Sequence, residues 1–280
     1  MIAERALSAG IHVVSANKAP VACGDHLKLK SLAEAMGVQW RFESAVMDGV
    51  PVFNAARHGL LSGLAYVLKI EGALNSTTTL VLSEMQKGKT MEQGLDVARA
   101  RGIVEADPSA GACCGVRAVV RRRAPPLAPI SPPLTPPPPP PPLPPSLPDI
   151  DGLDAAAKIA ALATVLMDAP THAVHDVTRT GIGAVDADAL ALAESAGQRV
   201  RLIARAERRL EGEGGGVRCS VSPELVAPGS PFYDLVGADA ALVIHTDCLG
   251  PVVTTSRNPT TMDTAFGLFS DMIACVKGIH

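Results

Sequence analysis

Asp154 and Lys158 stand four residues apart in the alanine-rich stretch Asp151 to Met167, and on a helix that spacing puts both side chains on one face. On a solvated surface such a pair contributes about 0.3–0.5 kcal/mol and does no chemistry. Here the rest of the face is nearly all Ala, Leu and Ile. A lysine held among apolar side chains has its pKa lowered, which suits proton transfer. A second group, Gly102-Ile103-Val104-Glu105-Ala106-Asp107-Pro108, packs two carboxylates into a turn after a helix, a pattern that is usually a solvated acidic turn. Lys18 follows a short apolar run, so it belongs to a loop at a strand end. Glu43, followed by Val46-Met47-Asp48-Gly49, offers backbone carbonyls in a turn, which bind water or a monovalent cation. The histidines are scattered without an HxxxH pair and read as structural. No GxGxxG occurs, and the glycine cluster from Glu211 to Gly216 reads as a hairpin-like loop.

The elements that must position these residues alternate between α and β. Glu4 to Gly10 reads as the end of a helix with a glycine stop. Ile11 to Ser15 is a short buried strand that leads into the loop Ala16 to Pro20, and ligands of open α/β sheets bind at such carboxyl ends. His26 to Met36 reads as a helix, Val38 to Glu43 as a strand, Pro51 to Leu61 as a helix and Leu64 to Gly72 as a half-buried strand. Asn75 can cap a helix from Thr78 to Gln86, and Thr90 with Gln93 forms a capping box for a helix that stops at Gly102. Asp151 to Met167 is the clearest helix. Val200 to Ala206, Val217 to Val221 and Ala241 to Thr246 read as strands of an antiparallel or mixed sheet, and Thr261 to Val276 as a closing helix.

Composition excludes several classes. Of the 280 residues 47% are hydrophobic, enough for one large or two ordinary cores, so wholesale disorder is excluded. Net charge of −3 argues against a nucleic-acid partner. The longest uncharged apolar helical run, Ile159 to Met167, is too short to span a bilayer, and no signal peptide is visible, so a soluble protein of the cytoplasm or a plastid is expected. The six cysteines have no metal-binding spacing and read as reduced thiols. One segment stands apart. Residues 125–148 hold 15 of the 24 prolines, with an unbroken run from Pro136 to Pro142. Proline lacks a backbone donor, so this stretch is expected to stay outside sheets and helices. Four arginines and no acidic residue occur in 111–148, so the composition changes at both borders as for an insertion.

Several segments, taken in order, resemble homoserine dehydrogenase. They are His12-Val13-Val14-Ser15-Ala16-Asn17-Lys18, then Phe42-Glu43-Ser44-Ala45-Val46-Met47-Asp48-Gly49-Val50-Pro51, then Ile70-Glu71-Gly72-Ala73-Leu74-Asn75-Ser76-Thr77-Thr78, followed by Gly102 to Pro108 and Asp149 to Lys158. Joining Ala110 to Asp149 would make the last two continuous. The resemblance implies NAD- or NADP-linked interconversion of L-aspartate 4-semialdehyde and L-homoserine. It implies that Lys158 transfers the proton, that Glu105 and Asp154 bind substrate, and that Lys18 and Gly102 meet the cofactor. It further implies that carbonyls of Glu43, Val46, Asp48 and Val50 hold sodium or potassium, and that the protein is a homodimer.

The expected fold is α/β. Residues 1–43, completed by 259–280, would be a remnant of a Rossmann-type nucleotide domain. Residues 44–110 and 149–258 would form an α+β substrate and dimerisation domain with a mixed sheet. Residues 111–148 would be a proline-rich disordered insertion. The resemblance makes Met1 fall in the last helix before the Ile11 strand, so the glycine-rich pyrophosphate turn would be missing. The chain also lacks a glycine-rich turn at Thr254 to Thr260. A non-catalytic reading stands beside this one: the sheet as an oligomerisation module and the proline segment as a docking peptide for SH3-like or WW-like grooves.

Overall fold

The computed structural model describes residues 2–22, 26–103, 117–120, 149–169, 174–209 and 215–279. Helix α1 (Ile2–Ser8) ends at Gly10, whose φ of 71° supplies the left-handed turn into β1 (His12–Ser15). A short α2 (Ala19–Ala22) follows where a plain loop is expected, because Val21 and Ala22 amides bond the Lys18 carbonyl at once. Helix α3 (His26–Ala35) precedes β2 (Trp40–Arg41). The expected strand 38–43 is therefore shorter, since the chain turns through a 3-10 segment at Glu43–Ala45. Helix α4 (Val52–Ala55) widens into a π turn, Ala56–Leu60, and closes with a 3-10 turn to Gly63, so the expected helix 51–61 is not one regular element.

Strand β3 (Val67–Ala73) leads to α5 (Ser76–Met85), whose cap Asn75 accepts from the Thr78 amide at 2.7 Å. Helix α6 (Met91–Ala100) carries the Thr90–Gln93 capping box, with bonds of 3.0 and 3.2 Å. Strand β4 (Arg117–Val120) corrects the reading of 111–148 as wholly outside the sheets. It precedes the first proline of the segment and pairs antiparallel with β1 from His12↔Val120 to Ser15↔Arg117. Helix α7 (Leu153–Leu166) is followed by β5 (Thr178–Arg179), α8 (Ala187–Ser195), β6 (Arg199–Arg208) and β7 (Val217–Val226). Then come β8 (Ala240–Thr246), β9 (Val252–Ser256) and α9 (Thr261–Lys277).

The strands form two sheets. The smaller has the order β2-β1-β4, with β1 and β2 parallel. The larger is mixed, in the order β5-β7-β6-β3-β8-β9, and only its β5–β7 pair is parallel. Helix α7 packs across β3, β6 and β7. Its Ala155, Ala156, Ala160, Ala161 and Ala163 are fully or almost fully buried, and such small side chains let a helix lie close to a sheet. One apolar cluster runs from Leu7 and Val13 through Leu162 to Ile244, so the two sheets share a core.

Helix α9 closes over the smaller sheet and the 43–50 turn. A Cβ on Gly267 would stand 2.2 Å from Ser44 Oγ and 2.9 Å from Gly49 Cα, so only glycine allows this approach. Among the described residues no helix is long and apolar enough to cross a membrane. Cys219, Cys248 and Cys275 are free thiols, and burial pushes Cys219 up to about 12. Cys23, Cys113 and Cys114 lie outside the described residues.

Candidate active site

The turn after β1 is set by its own side chains. The Asn17 amide donates to Ser15 Oγ at 3.0 Å, and Asn17 Oδ1 accepts from the Ala19 amide at 2.9 Å. Lys18 is thereby carried to the start of α7, where its ammonium pairs with Asp154 Oδ1. From the next turn of α7 itself, Lys158 Nζ lies 2.7 Å from Asp154 Oδ2 and donates to the Leu74 carbonyl at 2.9 Å. Asn75 completes the cluster. While its Oδ1 caps α5, its Nδ2 donates to Asp154 Oδ2 at 2.8 Å and to Asp149 Oδ1 at 2.7 Å.

Asp154 is only 3% exposed. Burial alone would raise its carboxyl, but Lys158 and Lys18 outweigh that and hold it well below the usual carboxylate range. Both its oxygens are occupied by protein donors. The structure therefore puts Asp154 behind the lysines as their shared counter-charge.

Lys158 lines a cleft of about 650 Å³ together with Asn75, Gly102, Asp48, Asn258 and Thr260. Gly102 ends α6 with φ of 66°, and among the described residues a Cβ there would meet nothing within 4 Å. Glu105 lies outside the described residues.

The 43–50 turn is anchored on α9. The Glu43 amide donates to Asp271 Oδ2 at 2.9 Å, and Thr264 Oγ1 donates to Asp48 Oδ1 at 2.9 Å. The Glu43 carboxylate accepts from the Phe53 and Asn54 amides at 2.7 and 2.9 Å, which caps α4. Burial pushes its carboxyl up to about 7, against those two bonds. Met47 and Asp48 both have φ of 57°, which folds the carbonyls of 46–50 into a tight bend. The Val50 carbonyl already accepts from the Val52 amide at 2.7 Å. Among the described residues no group of three or more His, Cys, Asp and Glu side chains could hold a metal ion.

Asp154, Lys158 and Lys18 are thus brought together, and Gly102 joins Lys158 at the cleft. Sequence reading took Asn75 only as a helix cap. Its second role, bridging Asp149 and Asp154, depends on a contact between segments distant in sequence. Asn258 and Thr264 were missed as well, and nothing local to them marks either one.

A family model described as homoserine dehydrogenase matches residues 51–112 and 145–273. The chain is 30% identical over 268 residues to the NAD(+)-dependent homoserine dehydrogenase of Pseudomonas canavaninivorans, covering 96% of this chain and 63% of that protein. It is 29% identical over 272 residues to the homoserine dehydrogenase of Sulfurisphaera tokodaii, covering 96% and 69%. Among solved structures it resembles a homoserine dehydrogenase from Thiobacillus denitrificans, with a TM-score of 0.76 and 26% identity over 99% of this chain and 54% of that one. It also resembles a hyperthermophilic archaeal homoserine dehydrogenase in complex with NADPH, with a TM-score of 0.71 and 27% identity over 100% and 68%. The chain thus spans between about half and two thirds of the length of these relatives. Its two sheets define an α/β architecture, a Rossmann-like part beside an α+β part with a mixed sheet, shared with these structures. By the family match and the relatives together, the chain belongs to the homoserine dehydrogenase family.

Proposed function

We propose that the cleft carries out the NAD- or NADP-dependent interconversion of L-homoserine and L-aspartate 4-semialdehyde. The observation that carries this reading is Lys158, at the cleft wall, with its charge balanced by the buried Asp154. Bound NAD(P) would supply the hydride acceptor for the alcohol carbon and the hydride donor in the reverse direction. As the neutral amine, Lys158 Nζ takes the proton from the substrate oxygen when the alcohol is oxidised, and as the ammonium it gives the proton back on reduction. Asp154, ionised between two lysines, holds Lys158 in place and compensates its charge after it gains the proton. Lys18 steadies the same carboxylate from the nucleotide side. Glu105 binds the substrate ammonium in this reading, and Gly102 leaves room for the nicotinamide ring.

Residues 1–43 with 259–280 form the nucleotide side in this reading, and 44–110 with 149–258 the substrate and dimerisation side. Residues 111–148 are an insertion, supported by the break in the family match between 112 and 145. Carbonyls of Glu43, Val46, Asp48 and Val50 hold sodium or potassium. Neutral carbonyl oxygens suit such ions, and the Val50 oxygen keeps a second lone pair for one. A homodimer forms through the sheet face turned away from α7. That face carries Glu71, Arg205 and His245, with the half-exposed Val253 beside them.

The test is to mix the purified chain with L-homoserine and NAD⁺ or NADP⁺ and to follow nucleotide reduction. The reading predicts reduction with homoserine and much less with L-serine, which is one methylene shorter. No reduction with either nucleotide would overturn it.

A further inference from the structure

One wall of the cleft that Lys158 lines is held by a carboxylate that does not line it. Asp239 is 3% exposed, and its neighbours Ala238 and Ala240 both line the cleft. Its Oδ1 accepts from the Asn258 amide at 2.8 Å. Its Oδ2 accepts from Arg257 Nη1 at 2.8 Å and from the Val236 amide at 3.2 Å. Arg257 Nη1 also donates to the Asp234 carbonyl at 3.1 Å, so the guanidinium ties the same loop twice. Asn258 has φ of 47°, a left-handed conformation that costs free energy in a non-glycine residue. The bond from its amide to Asp239 offsets that cost. The chain then passes through Pro259 into the Thr260–Asp263 capping box and α9. Asn258, Pro259, Thr260 and Thr261 all face the cleft.

We propose that Asp239 is a positioning residue. It fastens the Arg257–Thr261 turn to the start of β8, so that cleft wall and α9 start keep a fixed distance from Lys158. This rests on the dehydrogenase reading of the cleft, but the clamp itself can be measured without turnover. A wall that is no longer held in place binds the ligand less well in the ground state and the transition state alike. The wall touches ligand rather than reacting atoms, so the loss should fall mainly on KM.

Three variants test it. Asp239→Ala removes all three bonds and should raise KM for homoserine or the dinucleotide about 10–100-fold, with a smaller change in kcat. Asp239→Asn keeps an acceptor for the Asn258 amide but turns a donor toward Arg257 and Val236, so its KM should lie between those of the parent and Asp239→Ala. Arg257→Ala changes a side chain that is 58% exposed, so the fold should survive; it should raise KM by a few-fold. Amide hydrogen exchange at 257–261 should speed up at least about tenfold in Asp239→Ala, or in Arg257→Ala if the first variant does not fold, while α7 stays protected. Unchanged exchange at 257–261 in these variants would overturn the proposal. So would an equal loss in Asp239→Asn and Asp239→Ala. If the parent protein shows no homoserine turnover, the dehydrogenase reading fails, and the exchange measurement still decides the clamp.

Discussion

Lys18 reaches Asp154 from the loop after β1 of the smaller sheet, while Asp154 belongs to the helix that covers the larger one. The ion pair therefore ties the two halves of the molecule at the point where Lys158 meets the cleft. A buried carboxylate holding two lysines stabilises the assembly only while it is ionised.

Asp154→Asn should accordingly lower stability at pH 7 by about 3 kcal/mol, the usual loss when one partner of a buried ion pair is removed. The pH dependence has a definite sign. The carboxyl lies below its ordinary value of 3.8 in the folded protein, so the unfolded chain takes up its proton first as pH falls. Its contribution is complete above about pH 4 and is lost as pH falls through the lower, folded value. The gap between the urea midpoints of parent and variant should narrow from pH 7 to pH 3 and go on narrowing at lower pH. Parallel curves would show that the ion pair contributes nothing.

His26 gives a second, separate acid response. It is 4% exposed, edge-on to Phe42 with 5.2 Å between ring centroids, and burial lowers it from 6.5 to about 4, helped by Arg57 and Lys30. The folded protein keeps it neutral while the unfolded chain protonates it. Stability should therefore decline as pH drops from 6.5 to 4, by roughly 3 kcal/mol at most. His26→Phe should flatten this window, read as thermal midpoint against pH. An unchanged slope would show that His26 does not set this acid response.

Gly267→Ala tests the contact of α9 with the 43–50 turn. In an open helix the exchange would stabilise by about 1 kcal/mol. Here the new methyl meets Ser44 Oγ and Gly49 Cα, so the change should destabilise by about 1–3 kcal/mol. A raised thermal midpoint would mean that the helix does not sit so close.

The long segment before α7 allows a comparison of two deletions. Removing 125–148 takes the prolines and leaves β4, and shortening a long connection changes closure entropy by only about 0.6 kcal/mol per halving of its length. Removing 111–148 also takes β4 from its pairing with β1. The thermal midpoint should fall by several degrees more in the second deletion, since each kcal/mol is worth about 2–4 °C in a protein of this size. Equal midpoints would show that β4 adds no stability.

These elements differ in how plainly the sequence announces them. The caps at Asn75 and Thr90 and the glycine stops at Gly10, Gly37 and Gly102 are local chemistry, and each is where the residues imply. Asp154 and Lys158 are legible because four residues on a helix fix their relation. Lys18 is legible as a strand-end lysine, but its pairing with Asp154 comes from the packing of α2 on α7. Strand β7 runs past its expected end at Val221 because Pro223, opposite Leu202, is tolerated inside it. Helix α8 was not anticipated, since Ala187–Ser195 shows no clear apolar face and lies largely exposed beside β6. Strand β9 has no assignment from the sequence; it owes its form to pairing with β8.

In the proposed reaction Lys158 moves the proton between substrate oxygen and protein. The decisive measurement is steady-state oxidation of L-homoserine by the parent chain and by folded Lys158→Ala. General acid–base help of this kind is worth about 10²–10⁴-fold, so kcat should fall by that factor while KM changes little. A Lys158→Ala protein with near-parental kcat would contradict the assignment and leave the Asp154–Lys158 pair as a structural tie between the two sheets.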